Sequence, residues 1–121
     1  MKLKTFTILF VFLIIFVIVL ADRDQLGFLG IIYEIPYADK VGHFVLFGAL
    51  SFLINLALLR SFLARTPKRL LLATTLILAL VIGIEEWSQK FFPNRTPDWR
   101  DLLASYLGIA LGAYLAWKRR E

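Results

Sequence analysis

The chain has 121 residues, 60% of them hydrophobic, with a mean hydropathy of +0.75. That is far above the roughly half-apolar average of soluble domains, so one integral membrane domain spanning 1–121 is expected, with no large aqueous core. The formal charge of +5 does not point to nucleic acid, because the basic residues sit in short clusters between apolar runs, and the absence of cysteine removes disulfides and thiolate metal sites.

In chain order, residues 5–21 are almost continuously apolar behind Lys2 and Lys4, enough for one membrane-crossing helix. The same pattern, ending in Val19-Leu20-Ala21, also suits a signal peptide. The length of the run and the flank Asp22-Arg23-Asp24 favour a retained helix. Residues 26–38 are too short and too interrupted to span; their glycines, Pro36, Tyr33 and Tyr37 suit a segment at headgroup level.

A second helix is expected over about 40–59 and a third over about 69–90, separated by a basic connection in which Pro67 marks the break. Pro93 and Pro97 confine the next loop to a short turn, which makes the third and fourth helices antiparallel neighbours. Asp98 is placed to cap the fourth helix, about 98–117, with Asp101 in its first turn.

Charge sets the orientation. Lys2, Lys4, Arg60, Arg65, Lys68, Arg69 and Lys118 to Arg120 fall at one set of helix ends, with Glu121 the single acid there. The other eight acids and five basic residues fall at the opposite ends. The positive-inside rule then predicts an all-α membrane protein of four transmembrane helices, both termini cytoplasmic and a polar site at the outer face. Trp87, Phe91, Phe92 and Trp99 would form the outer aromatic belt. Lys40 and Lys90 are expected to snorkel toward headgroups. Ala104, Gly108 and Gly112 repeat at intervals of four, so the fourth helix can approach another helix closely, within the chain or across a homo-oligomer.

The candidate site comes from the polar residues at the outer ends. Asp39 and His43 share a helix face, as do Glu85 and Gln89, and Asp101 and Ser105; Glu86 is offset toward a neighbouring face. Ionisable groups beside a bilayer are costly to keep, which marks them as a functional site by default. If the second helix packs on the third and fourth, then His43, a glutamate, Arg95 and Asp101 converge in one cavity. The His and carboxylates lack the spacing of a recognised metal site, and Ser51, Ser88 and Ser105 are not in a nucleophile context. These residues do not identify a cofactor, and a divalent cation on the His and carboxylates is a minor alternative.

The run Asp39-Lys40-x-x-His43-Phe44-x-x-Phe47-Gly48, then Glu85-Glu86-x-x-Gln89, then Arg95-x-x-Asp98-x-x-Asp101, then Gly108, resembles the VanZ-like family of small bacterial membrane proteins over about 36–116. The resemblance implies four membrane helices in the bacterial cytoplasmic membrane and a link to teicoplanin-type glycopeptide susceptibility. The family pattern falls on Asp39, Lys40, His43, Glu85 or Glu86, Gln89, Arg95, Asp98 and Asp101, with Glu86 the preferred register. Many members have Asn where this chain has Ser105.

Two functions follow. In the first, the site binds an anionic lipid or lipid-linked cell-wall precursor: Arg95, Lys40 and His43 contact phosphate, while Glu86 and Asp101 orient them. In the second, a membrane-embedded hydrolase or transferase acts on such a lipid with His43 as general base and Glu86 or Asp101 as its orienting carboxylate.

Overall fold

The structure is a computed structural model that describes residues 2–22, 38–61, 65–92 and 98–120. Within them are four α-helices and no strand: α1 (Leu3–Asp22), α2 (Ala38–Leu59), α3 (Pro67–Ser88) and α4 (Trp99–Lys118). A short 3₁₀ turn, Gln89–Phe91, extends α3. The expected headgroup-level segment lies outside the described residues.

Each boundary has a local cause. Pro67 opens α3 because a proline costs nothing where the first helical N–H has no partner. Asp98 is extended and its carboxylate accepts the Arg100 N–H, so it caps α4, and Asp101 stands in the first turn beside the positive end of the helix dipole. The helices run 20 to 22 residues, about 30 Å each, which matches a bilayer's hydrocarbon core. Two of them, Lys40–Leu59 and Pro67–Phe91, are both long and apolar enough to cross a membrane; the apolar part of α1, Leu3–Ile18, is shorter.

The distribution of side chains is that of a protein solvated by lipid. Phe12 and Leu80 are each 63% exposed and Leu107 57%, whereas Ser51, Asn55, Gln89, Asp101 and Ser105 are buried. With hydrocarbon outside, apolar side chains gain little by facing inward, so association depends on close packing and internal hydrogen bonds.

The closest packing is between α2 and α4, which run parallel. A Cβ on Gly108 would overlap the Phe44 carbonyl, and one on Gly112 would overlap the Gly48 carbonyl and come within 2.8 Å of the Phe52 nitrogen. The small residues of α4 thus meet Gly48 of the same chain, backbone against backbone. Ser51 Oγ donates to the Ile109 carbonyl at 2.8 Å, and Asn55 Nδ2 donates to Ser51 Oγ at 3.2 Å. The contact continues to the far end of α2, where Arg60 donates to the Arg119 carbonyl.

The other two helices lean on this pair. Ile14 of α1 and Ile82 of α3 join Phe47, Leu50 and Ile109 in one cluster. Tyr106 Oη donates to the Ala79 carbonyl at 3.0 Å, tying α4 to α3. A second cluster gathers Leu3, Leu59, Leu70 and Trp117, so the ends that carry the basic residues meet at one pole.

Two glycines separate packing from helix propensity. Gly112→Val forces the helices apart and is expected to cost about 1–3 kcal/mol, read as a lower melting temperature in detergent. Gly42 has nothing within 4 Å of an added Cβ, so Gly42→Ala is expected to hold or raise stability by up to about 1 kcal/mol. Equal melting temperatures for the two variants would contradict the glycine interface.

Candidate functional site at the acidic pole

At the pole opposite the basic ends, three helices contribute polar side chains. From α2, Lys40 places its ammonium 3.4 Å from Asp98 Oδ2 and 3.3 Å from Asp101 Oδ1. Lys40, expected to snorkel toward headgroups, is instead paired with two aspartates, because parallel packing of α2 on α4 brings them within its reach. Lys90 instead sits 4.4 Å from the centre of the Trp87 ring, and that ring meets Phe91 edge-on at 5.1 Å. Trp87, Phe91 and Trp99, the last 69% exposed, are exposed aromatics at the α3 and α4 ends of this pole.

From α3, the two glutamates take different roles. Glu85 accepts from Gln89 Nε2, at 3.0 Å to Oε2. Glu86 is buried and accepts the Asp98 backbone N–H at 3.5 Å, which couples the end of α3 to the cap of α4. His43, on α2, lies half-buried with its ring centre 5.9 Å from that of Phe47. Asp101 is buried, and its backbone carbonyl accepts from Ser105 Oγ at 3.0 Å.

Of the residues predicted for the site, contacts join Lys40, Glu86, Asp98 and Asp101 across three helices; Glu85 pairs with Gln89 along α3, and His43 lies one turn along α2 from Lys40. Arg95 and the Asp39 side chain lie outside the described residues. Among the described residues, no group of three or more His, Asp or Glu side chains is arranged to hold a metal ion. Sequence reasoning missed Asn55, which is 1% exposed and joined to Ser51 in the α2–α4 seam. The signal was available: His43, Phe47, Ser51 and Asn55 recur every four residues and so mark one face of α2.

The arrangement is rich in acceptors. Four carboxylates, Glu85, Glu86, Asp98 and Asp101, stand at the α3 and α4 ends of this pole, and Lys40 pairs with two of them. The Arg100 N–H, and after it Lys40, hold the Asp98 carboxyl below the usual aspartate range. A carboxylate with a depressed folded-state pKa contributes stability above its unfolded value, and that contribution is lost as pH falls through the lower folded value. Asp98→Asn preserves the cap, since Asn caps as well as Asp, but loses the ion pair; Asp98→Ala loses both. Melting temperatures at neutral pH are expected to order as wild type, then Asn, then Ala. The wild type's margin over Asp98→Asn should shrink as pH drops below the ordinary aspartate value. A margin that stays constant down to about pH 3 would rule out the charged role.

No curated protein and no solved structure shows significant similarity to the chain. A family comparison does: the VanZ/LLP1 model matches residues 2–119. The match covers almost the whole chain, takes in α1 and contains every residue of the acidic pole, so this membrane protein belongs to the VanZ/LLP1 family.

Proposed function

We propose that the chain crosses the bacterial cytoplasmic membrane four times with both termini inside, and that its acidic pole receives the headgroup of a lipid-linked cell-wall precursor at the outer face. The convergence of Lys40, Glu86, Asp98 and Asp101 from three helices, with His43 one turn along α2 from Lys40, carries this reading. The segregation of nine basic residues and one acid from the other charges supports the orientation. The exposed aromatics at the acidic pole fit a membrane–water boundary.

The balance of charge narrows the ligand. A bare phosphate needs donors, and Lys40 and His43, joined by Arg95 from the adjoining loop, can supply them. Four carboxylates exceed what such a phosphate requires. A headgroup that brings its own N–H and O–H groups satisfies them, and a precursor bearing sugar and peptide does so better than a simple anionic lipid. Engagement of that precursor would link the protein to teicoplanin-type susceptibility.

A second reading has its own support. Glu86 and Asp101 are buried carboxylates at the same pole as His43, and a carboxylate can orient an imidazole as a general base toward water or a lipid phosphate. In this reading the pole is the site of a hydrolase or transferase.

Because the natural chain has no cysteine, single cysteines report orientation cleanly. A cysteine at Lys2 or Arg120 should react with a membrane-impermeant maleimide only after the cells are opened, and one at Phe92 should react in intact cells. The reverse pattern would overturn the orientation. For function, purified protein should retain a lipid-linked precursor, Arg95→Ala should weaken retention about tenfold or more, and His43→Gln should weaken it less. Full retention by Arg95→Ala would reject phosphate recognition. Turnover that His43→Gln abolishes would establish the catalytic reading instead.

A further inference from the structure

The pole opposite the candidate site carries a second feature. Between the start of α3 and the end of α4 is a cavity of about 460 Å³, lined by Thr66, Pro67, Lys68, Arg69, Trp117 and Arg120. Its floor is ordered by Arg120, which folds back over α4: the guanidinium carbon lies 3.7 Å from the Trp117 ring centre, and Nη1 donates to the Trp117 carbonyl at 2.6 Å. A guanidinium has five N–H donors, so this bond uses only one of them. The residues that line the cavity include three cations, Lys68, Arg69 and Arg120, and no acid, so its lining is positively charged.

It also opens onto hydrocarbon. A groove of about 540 Å³ shares Lys68 and Trp117 with the basic cavity and continues between α3 and α4 along Leu71, Thr75, Ala110 and Tyr114. From position 68 to 75, and from 117 to 110, is about 10 Å of helix. Beyond Lys68 at its mouth the lining is mostly apolar: Tyr114 and Trp117 present aromatic rings, and the Thr75 hydroxyl is turned back to the Leu71 carbonyl at 2.7 Å. A cationic cup joined end to end with an apolar slot of that length matches a molecule with an anionic head and a hydrocarbon tail.

We propose that this cleft holds one anionic phospholipid from the leaflet that contains the basic helix ends. Its phosphate sits among Lys68, Arg69 and Arg120, and one acyl chain lies in the slot between α3 and α4. Charge complementarity selects the head, as basic pockets between membrane helices do for anionic lipids, and the slot distinguishes a lipid from a free phosphate. This site is separate from the acidic pole, and it does not depend on which side of the membrane the basic ends face.

The test is lipid retention by the whole protein in neutral detergent, read by native mass spectrometry. Phosphatidylglycerol is titrated against phosphatidylcholine, with inorganic phosphate as the headgroup-only probe. One phosphatidylglycerol should be retained in preference to phosphatidylcholine, and Lys68→Gln with Arg69→Gln should weaken its retention about tenfold. Lys2→Gln with Lys4→Gln removes the same charge outside the cleft and should leave retention within about twofold of wild type. Ala110→Phe, a substitution at an exposed position that fills the slot, should reduce lipid retention while keeping the basic residues intact. Equal losses in the two double variants would reduce the effect to general surface charge and overturn the proposal. So would retention that ignores headgroup charge, or inorganic phosphate competing fully while Ala110→Phe has no effect. If the Lys68/Arg69 variant fails to fold, Ala110→Phe decides alone.

Discussion

The molecule depends on one close contact, that of α2 with α4. In lipid, hydrophobic side chains do not drive helices together, because the tails outside are as apolar as the interior. What remains is van der Waals contact at short range and a few internal hydrogen bonds. Gly48, Gly108 and Gly112 supply the first by letting two backbones meet, and Ser51 and Asn55 supply the second. Because the contact is parallel, the beginnings of α2 and α4 are held side by side. Lys40 then reaches Asp98 and Asp101, residues nearly sixty positions away in sequence. A looser or antiparallel pairing would leave these groups apart.

The acidic pole follows from this constraint together with the short connection from α3 to α4. Glu86 meets the Asp98 N–H because the chain must turn within a few residues, and that bond joins the third helix to the seam already set by the other two. The basic pole is built from the same helices at their other ends, where the cluster of Leu3, Leu59, Leu70 and Trp117 holds the cationic residues together. One fold therefore presents two chemically opposite ends, acceptor-rich at one and donor-rich at the other. Membership of the VanZ/LLP1 family covers both.

Much of this was legible in the sequence. The four helices are where the apolar runs predict them, with ends displaced by two residues or fewer, because proline, the capping aspartate and the run lengths are local signals. Asp98 as a cap and Asp101 in the first turn were readable for the same reason. The small-residue stripe on α4 announced a close approach but not its partner; only the fold identifies Gly48 as the other half. The placement of Lys40 was misread, since its partners are remote in sequence and their proximity is a product of packing. Asn55 was missed because a single amide inside an apolar run has no local pattern until the four-residue recurrence through His43 and Ser51 is noticed.

The single histidine offers the most direct test of the proposed function, because His43 is the only imidazole in the chain. The protein, labelled with ¹⁵N at histidine and reconstituted in zwitterionic bilayers, would give one set of ring-nitrogen resonances. Addition of a lipid-linked cell-wall precursor should shift them, saturating at the concentration that saturates binding, while an equal amount of added phosphatidylcholine should not. Ring resonances that stay unchanged while the precursor binds would place the ligand elsewhere and contradict the account of the acidic pole.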